Sequence, residues 1–304
     1  MNLRTALKTP LRQGVSLSQY STMQVGGPSR YFASPETEEE LFELLDFARR
    51  EKMPWLVIGK GSNMIFPDEG YAGLVISFLH YEQNKICFDL KEDSVTAGAG
   101  IFLYRLVLAA RDQGLGGIEF LCNVPGTVGG AVIMNAGFSR FPGQVNEAGD
   151  VLAEVEVLGE DGKKERWFKK DLVFSYRQSN LNGKIVLAAK FQLWKRRRKD
   201  IEREIRANFD FRNSKQDLRF PSSGSIFKNP PKPLPAAGQL IDRLGLKGKR
   251  VGGAVVSEKH ANYIINAGGA KSSDIVELIR RIQKLVLDAT EVSLETEVRI
   301  IEKN

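Results

Sequence analysis

Apolar residues recur every three or four positions in three segments of the chain, the spacing that places them on one face of an α-helix. The first segment begins after Thr37, which has the spacing of a capping box with Glu40. The second ends at Gly114, and the third follows Ser272 or Ser273, either of which is predicted to cap it. The predicted inward faces are Leu41, Leu44, Leu45 and Ala48; Leu103, Leu106, Val107 and Ala110; and Ile275, Leu278, Ile279, Ile282, Leu285 and Val286.

Shorter apolar segments predict β-strands. The expected strands span residues 55–58, 74–77, 94–98, 153–158, 164–168, 185–193 and 292–301. In the last of these, apolar residues alternate with Glu295, Glu297 and Arg299, so the two sets are predicted on opposite faces. Two further helices are expected at residues 199–213, where the charged composition is typical of a linker, and at 236–244. The mixture of helices and strands predicts an α+β protein.

The composition is that of an ordinary soluble globular protein. The chain has 304 residues, of which 42% are hydrophobic and 27% are charged. No apolar run approaches the ~18 residues that span a membrane, and the N-terminal segment lacks the apolar stretch of a secretory signal. Two cysteines and two histidines are too few for a disulfide framework or a metal cage. We therefore expect a cytoplasmic protein with no bound metal and no membrane insertion.

The formal net charge of +7 makes nucleic-acid binding worth considering. Its strongest local signal is the basic run at residues 195–199. Asp200, Glu202 and Glu204 follow directly, a pattern typical of a solvated helix. A basic surface suits anionic small molecules such as nucleotides equally well. We therefore expect no nucleic-acid partner.

Residues 125–137 carry the most distinctive pattern, Pro-Gly-Thr-Val-Gly-Gly-Ala-Val-Ile-Met-Asn-Ala-Gly. Glycines can adopt positive φ and let a ligand approach the backbone, and their N–H groups can form a nest for an anion. Asn135 adds a donor and an acceptor. The alternative is a tight turn before a buried strand at residues 131–134. The glycines expected to act in this way are Gly126, Gly129, Gly130 and Gly137.

A second glycine-rich segment, residues 59–63, directly follows the strand predicted at 55–58. Glycines, a hydroxyl and an amide at the end of a strand are suited to holding a phosphate, although a plain turn has the same composition. Two such segments after strands indicate a phosphate-bearing cofactor more strongly than one. Neither contains the Gly-Lys-Ser/Thr sequence of a Walker loop, and the spacing is not that of the dinucleotide fingerprint.

Three polar clusters offer catalytic chemistry, at residues 176–179, 223–229 and 295–297. Arg177 presents a planar fork for a carboxylate, Ser225 can deliver a proton, and Glu297 is predicted on a rigid strand. No histidine stands at triad spacing from a serine, so hydrolysis is not indicated. Each residue also has a structural alternative, as a surface cation, a turn hydroxyl or half of an ion pair.

In this order, the motifs resemble those of the UDP-N-acetylenolpyruvoylglucosamine reductase (MurB) family, the flavoenzymes of peptidoglycan precursor synthesis. The Tyr-Arg-x-Ser stretch and the length resemble the shorter form of the family, which lacks an extra tyrosine loop over the substrate. The resemblance covers nearly the whole chain and rests on residues 22–28, 59–63, 68–70, 125–137, 176–179, 223–230, 237–248, 252–266 and 294–301.

The resemblance implies an FAD-binding unit of the vanillyl-alcohol-oxidase/PCMH type in two subdomains, followed by an α+β domain that closes over the substrate. The implied boundaries are 1–80, 81–198 and 199–304. It also implies that NADPH reduces non-covalent FAD and leaves. Reduced flavin then passes hydride to the enolpyruvyl ether of UDP-N-acetylglucosamine, which yields UDP-N-acetylmuramate.

Residue roles follow from the same resemblance. Arg177 and Glu297 match residues that steady an enolate-like intermediate, and Ser225 matches the proton donor. The implied cofactor-binding positions are Gly59, Lys60, Gly61, Ser62, Asn63, Pro125, Gly126, Thr127, Gly129, Gly130, Asn135 and Gly137. The implied substrate-binding positions are Tyr176, Lys228, Asn229, Gln239, His260 and Asn262.

Two departures from the family pattern flank the flavin segment. Residues 122–124 are Cys-Asn-Val, where the family commonly has a small residue, glycine and isoleucine, and residues 138–140 are Phe-Ser-Arg, where it commonly has Ala-Tyr-Gly. Two alternatives remain open at this point: another FAD-dependent carbohydrate oxidoreductase of the same fold, or a non-enzymatic UDP-nucleotide-binding protein.

Overall fold

The computed structural model describes residues 7–81, 84–141, 146–159, 162–181 and 183–302. The chain forms two compact units. Unit 1 comprises the described residues of Met1–Leu11, Ala33–Lys60 and Ile76–Ser214, and unit 2 those of Arg12–Phe32, Gly61–Val75 and Lys215–Asn304. The three-domain division expected from the sequence, 1–80, 81–198 and 199–304, stays a prediction.

The helices and strands account for most of the predicted elements. The α-helices are α1 (Glu38–Arg50), α2 (Leu103–Asp112), α3 (Val128–Ile133), α4 (Ala148–Val151), α5 (Arg198–Lys215), α6 (Ala237–Arg243) and α7 (Ser272–Thr290), with 3₁₀ turns at Leu17–Tyr20, Glu119–Asn123 and Lys169–Asp171. The strands are β1 (Val15–Ser16), β2 (Pro28–Ala33), β3 (Trp55–Ile58), β4 (Met64–Ile65), β5 (Tyr71–Ser77), β6 (Ile86–Asp89), β7 (Ser94–Gly98), β8 (Leu115–Gly116), β9 (Gly137–Phe138), β10 (Asn146–Glu147), β11 (Leu152–Leu158), β12 (Lys164–Phe168), β13 (Phe174–Ser175), β14 (Gln178–Ser179), β15 (Ile185–Gln192), β16 (Trp194–Lys195), β17 (Ser222–Ser225), β18 (Arg250–Val251), β19 (Ala254–Val256), β20 (Tyr263–Asn266) and β21 (Arg299–Ile300).

Unit 1 is built on a five-stranded antiparallel sheet with the order β12–β11–β15–β7–β6. The hairpin predicted at residues 153–168 is confirmed as β11 and β12, with Val155 opposite Trp167. Residues 160–161 of its expected turn lie outside the described residues. Helix α2 buries its predicted face. In α5, Ile201, Ile205 and Asn208 are buried.

Helix α1 confirms one half of the predicted capping box. Thr37 Oγ1 accepts a hydrogen bond from the Glu40 N–H at 3.2 Å. The Glu40 carboxylate also accepts from the Glu36 N–H at 2.7 Å and from Thr9 Oγ1 at 2.9 Å, and hydrogen bonds from the Glu36 and Thr37 backbone help to hold its pKa below the ordinary value. The helix therefore follows the predicted cap, Thr37, and Glu40 has further partners that the sequence does not predict.

Unit 2 contains the antiparallel sheet β17–β20–β19–β18 and the parallel pair β21–β4. Helix α7 packs Ile275, Leu278, Ile279, Ile282 and Val286 into the core of this unit. The sequence also predicts Leu285 in that stripe, but Leu285 is 45% exposed, because its position falls at the edge of the buried face.

The N-terminus of α7 is capped by a residue that the sequence does not predict. Asp68 accepts hydrogen bonds from the N–H groups of Ser272 at 2.6 Å and Ser273 at 3.0 Å. Burial raises the pKa of the Asp68 carboxyl, but the hydrogen bonds from Ser273 and Ser272 outweigh this effect and leave its pKa below the ordinary value. Ser272 instead uses its hydroxyl to donate to the Phe66 carbonyl.

Two predicted strands are wrong. Residues 131–134, the alternative considered for the glycine-rich stretch, belong largely to helix α3. Residues 292–298 form no ladder: Thr296 makes a single bridge with Phe227, and only Arg299–Ile300 pair as a strand. The alternation of Leu294 and Val298 is nevertheless real, since both side chains are buried.

In the part of the chain that the structure describes, no helix has both the length and the apolar surface to cross a bilayer. The same residues contain no cluster of three or more His, Cys, Asp or Glu side chains that could hold a metal ion.

Candidate active site

The glycine-rich stretch of unit 1 differs from its prediction in backbone conformation. None of Gly126, Gly129, Gly130 and Gly137 has positive φ; within this stretch the left-handed residue is Asn135, with φ +43°. Glycine is needed at position 129 because there is little space for a side chain. A Cβ atom on Gly129 would lie 3.0 Å from the Ala99 Cβ, because the stretch packs directly on that residue.

This packing also corrects the predicted anion nest. The N–H groups of Val128 and Gly129 donate to the carbonyls of Ile101 and Ala99, each at 2.9 Å, and that of Gly126 donates to the Val124 carbonyl at 2.8 Å. Two N–H groups of the expected nest, those of Gly126 and Gly129, are therefore already bonded to protein.

The two glycine-rich segments meet in unit 1. A Cβ atom on Gly59 would overlap the hydroxyl of Thr127, so the backbone at the end of β3 lies against the residue that precedes α3. Lys60, the next residue, is exposed and places its Nζ 5.3 Å from the centre of the Phe102 ring. Pro125 and Gly130 are exposed on the second segment. The predicted cofactor positions of unit 1 thus lie together around Gly59 and Thr127.

The remaining residues of the first segment belong to unit 2. Gly61 has φ +62°, and a Cβ atom there would overlap the Tyr20 carbonyl. Ser62 is half-buried in the following turn. Asn63 donates through Nδ2 to the Glu297 carbonyl at 3.0 Å and accepts at its own carbonyl from the Arg299 N–H at 2.9 Å. The structure therefore brings the predicted cofactor residue Asn63 against the chain at Glu297.

Arg177 lies at the tip of the two-residue turn between β13 and β14 of unit 1. Its φ is +58°, a conformation that costs a non-glycine residue about 1–3 kcal/mol and that clusters at functional sites. Its guanidinium donates through Nη2 to the Gly137 carbonyl at 3.1 Å and through Nη1 to Glu147 Oε1 at 3.5 Å. The ring of Tyr176, which is 39% exposed, lies 4.9 Å from the guanidinium carbon. The fork is thus held by the predicted cofactor residue Gly137.

Asn135 is committed to contacts within unit 1. It is 1% exposed. Its Nδ2 donates to Glu147 Oε2 at 2.6 Å and to the Ser175 carbonyl at 3.1 Å, and its Oδ1 accepts from the Gly149 N–H at 2.9 Å. The amide predicted to meet the cofactor therefore ties together segments of the protein, and its cofactor role stays a prediction.

In unit 2, Ser225 and Glu297 are neighbours through the backbone between them. Ser225 ends β17 opposite Tyr263. The next residue, Ile226, accepts the Glu297 N–H at 2.7 Å, and Phe227 bridges Thr296. Both predicted catalytic residues are half-buried. Two sequence motifs that lie far apart along the chain are therefore adjacent in unit 2.

Asn262 fixes this arrangement from inside unit 2. Its Oδ1 accepts the Phe227 N–H at 3.0 Å and its Nδ2 donates to the Phe227 carbonyl at 2.8 Å, while its own carbonyl accepts the Ile226 N–H at 2.9 Å. The side chain is 4% exposed. Its amide thus serves the strand beside Ser225, and a direct contact with substrate stays a prediction.

The other predicted substrate residues line the same unit. Asn229 Oδ1 accepts from the Ala237 N–H at 3.1 Å, and Gln239 Oε1 from the Ala236 N–H at 3.2 Å, so both hold the start of α6. Lys228 pairs with Glu295 at 3.3 Å. His260 Nδ1 accepts the Asn262 N–H at 3.2 Å, and burial lowers the pKa of its imidazole below the ordinary value.

The sequence does not indicate the surroundings of two side chains of unit 1. Glu147 contacts Arg177, but no local pattern signals an ion pair between residues so far apart in the chain. Asn123, in the first departure from the family pattern, is 4% exposed, and neither Oδ1 nor Nδ2 has a hydrogen-bond partner among the described residues. In the same segment, burial raises the pKa of the Cys122 thiol to about 12.

Two known families match different parts of the chain. Residues 216–301 match the model of the UDP-N-acetylenolpyruvoylglucosamine reductase C-terminal domain, and residues 29–166 match that of an FAD binding domain. A UDP-N-acetylenolpyruvoylglucosamine reductase from Moorella thermoacetica is 40% identical over 98% of this chain and 95% of its own length. The chain belongs to the UDP-N-acetylenolpyruvoylglucosamine reductase family.

Other relatives agree with this assignment. The Bacillus subtilis reductase is 36% identical over 95% of this chain and 93% of its own length. The crystal structure of the reductase from Thermus caldophilus superposes with a TM-score of 0.81 and 38% identity, covering 97% of this chain and all of that one. The family resemblance and the α+β fold class with an FAD-binding unit, both expected from the sequence, are confirmed.

Proposed function

We propose that this protein is an NADPH- and FAD-dependent reductase that converts the enolpyruvyl ether of UDP-N-acetylglucosamine into UDP-N-acetylmuramate, a step of peptidoglycan precursor synthesis. Membership of the reductase family supports this activity over the two alternatives. The observation that carries the proposal is the hydrogen bond from the Glu297 N–H to the Ile226 carbonyl at 2.7 Å. It holds the segment of the candidate catalytic carboxylate against the residue that follows the candidate proton donor, Ser225.

The residues of unit 1 fit FAD. Gly59 and Thr127 lie in contact, so the two segments expected to hold the pyrophosphate converge. The N–H groups of Gly126, Val128 and Gly129 already donate to backbone carbonyls. The pyrophosphate would therefore bind to the other N–H groups of these segments and to the ammonium group of Lys60. Neither segment contains a histidine or cysteine for covalent attachment, which favours a non-covalent cofactor. When bound, FAD supplies the hydride chemistry that connects NADPH with the enolpyruvyl ether.

The residues of the chain supply the remaining chemistry. Ser225 Oγ donates a proton to the carbon that carries the substrate carboxylate. A serine hydroxyl is a weak acid, so this step needs a strongly basic enolate-like carbon as the acceptor. Glu297 and Arg177 steady the charge of that intermediate, and preorganised electrostatic contacts of this kind are usually the largest contribution to catalysis.

We also infer that the protein acts in the cytoplasm. The precursor and NADPH are cytoplasmic metabolites in the pathway that the resemblance implies. Both cysteines, Cys87 and Cys122, are free thiols, as expected in a reducing compartment.

The spectrum of the purified protein tests the function. We expect flavin absorbance that is bleached by NADPH without oxygen and restored by the enolpyruvyl ether, with UDP-N-acetylmuramate detected by mass spectrometry. Bleaching by NADPH followed by recovery only with another acceptor would instead favour a different carbohydrate oxidoreductase. A colourless protein that cannot be reconstituted with FAD but binds UDP-sugars would favour the non-enzymatic alternative.

A further inference from the structure

The carboxylate of Glu147 lies between two residues that control the Arg177 turn in unit 1. One oxygen, Oε1, accepts from Arg177 Nη1 at 3.5 Å. The other, Oε2, accepts from Asn135 Nδ2 at 2.6 Å. The side chains of Arg177 and Glu147 are 17% and 20% exposed, so this ion pair is better shielded from water than an ordinary surface pair.

Asn135 supports both partners of the pair at once. The same Nδ2 that binds Glu147 also donates to the Ser175 carbonyl at 3.1 Å, two residues before Arg177. Its Oδ1 accepts the Gly149 N–H at 2.9 Å, two residues after Glu147. Asn135 adopts a left-handed conformation, φ +43°, which asparagine tolerates better than most residues. One buried amide therefore sets the spacing between the glutamate and the arginine turn.

Close packing leaves little room for the pair to move. A Cβ atom on Gly137 would lie 2.9 Å from Glu147 Cγ and 3.2 Å from Arg177 Nη1. One on Gly149 would lie 2.7 Å from the Phe174 ring and 2.9 Å from Asn135 Oδ1. The Ser179 hydroxyl fixes the far side of the turn by donating to the Ile133 carbonyl at 2.9 Å.

We propose that Glu147 is a positioning residue for Arg177, oriented by Asn135, in the reduction of the enolpyruvyl ether. This inference rests on the proposed function. With Gly137, Glu147 engages both terminal nitrogens of the guanidinium and so fixes the plane of the fork. The substrate carboxylate can then bind an Arg177 guanidinium that is already oriented. The entropy cost of ordering this side chain is not added to the activation free energy of the reaction.

Glu147 also lowers the net charge around Arg177. An unpaired cation would attract the anionic substrate in its ground state as strongly as in its transition state, which does not accelerate the chemistry. Removing the negative charge at Glu147 should therefore leave substrate affinity equal or higher while slowing turnover. A residue needed only for stability would not separate KM from kcat in this direction.

The test uses the holoenzyme and Glu147→Gln, which keeps the size and an acceptor oxygen but removes the charge. We expect NADPH to bleach the flavin at a rate within about twofold of wild type, whereas reoxidation by the UDP-sugar slows about tenfold, less than the ~100-fold that a 1 Å misplacement can cost. KM for the UDP-sugar should not rise. In an Arg177→Ala background the same substitution should have no further effect, because neighbours that act together are non-additive.

Glu165→Gln is the matched control. Glu165 pairs with Lys184 at 3.1 Å in unit 1 and, like Glu147, accepts a second hydrogen bond, from Trp167 Nε1. It should leave both half-reactions unchanged. A Glu147→Gln enzyme that slows both half-reactions equally, or loses as much again in the Arg177→Ala background, would overturn the proposal. So would an enzyme with wild-type rates in both half-reactions.

A second readout keeps this inference separate from the proposed function. In protein labelled with ¹⁵N-arginine, the Nη–H signal of Arg177 can be assigned by its loss in Arg177→Ala. We expect a protected signal in wild type and faster hydrogen exchange in Glu147→Gln. If wild-type protein does not reduce the UDP-sugar, the proposed function fails, and this signal still decides whether Glu147 orients Arg177. Equal protection in the two proteins would overturn the positioning role.

Discussion

The backbone of Gly59 lies against the side chain of Thr127, so closely that a Cβ atom on Gly59 would overlap Thr127 Oγ1 and lie 3.0 Å from Thr127 Cγ2. Two segments that the sequence marks only by their glycines are thereby joined at one point of unit 1. Neither Gly59 nor Gly126, Gly129 and Gly130 has positive φ. The glycine at position 59 is needed for space and not for backbone conformation.

We therefore predict that Gly59→Ala destabilises the protein and weakens FAD binding. Overpacking typically costs about 1–3 kcal/mol, and it should be partly relieved by Thr127→Ala in the same chain. Gly130→Ala is the comparison for stability, because a Cβ atom there would meet only Thr127 Oγ1 at an ordinary 3.7 Å. Thermal unfolding of the apoprotein and FAD titration measure the two effects. Unchanged stability of Gly59→Ala would show that the contact can relax.

The sequence predicts elements well where the signal is local. Helix α1 follows its predicted cap, Thr37, because the cap and most of the apolar face are encoded within the segment, although Phe47 is buried and the predicted Leu45 is only half-buried. Helix α3 is not predicted, and a strand at 131–134 remains an open alternative, because short apolar runs fit either structure; the structure shows the helix, packed on Ala99. The cap of α7 comes from Asp68, which no pattern around Ser272 can indicate.

In the candidate site too, local motifs can be recognised in the sequence, whereas contacts between distant residues cannot. Arg177, Ser225 and Glu297 stand out through motif resemblance, and the structure joins Ser225 with Glu297 through Ile226. The uses of Asn135 and Asn262 could not be predicted, because their hydrogen-bond partners lie far away in the chain. An asparagine in a glycine-rich or polar motif has the same appearance whether its amide meets a ligand or the backbone.

Asn262 yields a prediction that distinguishes these two uses. Asn262→Ala would leave the buried N–H and carbonyl of Phe227 without the partners they now have at 3.0 and 2.8 Å. Each unsatisfied buried group costs about 1–3 kcal/mol, so we expect a clear loss of thermal stability. Asn229→Ala removes an amide from the edge of the same unit and should cost less. A stable Asn262→Ala protein with a raised KM for the UDP-sugar would show instead that the amide meets the substrate.

The pKa of His260 gives unit 2 a pH-dependent contribution. Burial lowers the pKa of this imidazole in the folded protein, and the Asn262 N–H needs an unprotonated Nδ1 as acceptor. Below the ordinary histidine pKa of ~6.5, the unfolded chain binds more protons at this residue than the folded one does. Stability should therefore fall as the pH drops through ~6.5 towards the lower folded pKa. Denaturant unfolding between about pH 7.5 and 5.5 should show a weaker dependence in His260→Gln; an equal dependence would contradict this account.

Lys228 should act on ligand binding with little effect on stability. Its pair with Glu295 spans 3.3 Å, and the glutamate side chain is 76% exposed, so the pair contributes at most ~1 kcal/mol. Lys228→Ala should unfold at nearly the wild-type temperature but raise KM for the UDP-sugar or NADPH. Glu295→Gln releases the lysine and serves as the comparison. If KM for both ligands stays within about twofold, below ~0.5 kcal/mol, Lys228 has only a structural role.

Ser225→Ala separates the two half-reactions most sharply. Ser225 is assigned only to protonation of the enolate-like intermediate, and reduction of FAD by NADPH requires no such proton. Stopped-flow bleaching of the flavin should therefore remain close to wild type. Reoxidation by the UDP-sugar should slow by about a hundred- to ten-thousand-fold, the usual contribution of a positioned general acid. Ser225→Cys, which offers a more acidic proton at a similar place, should retain more activity than Ser225→Ala. Equal slowing of both half-reactions would mean that the serine supports the fold or the flavin site, and wild-type rates in both would mean that another group donates the proton.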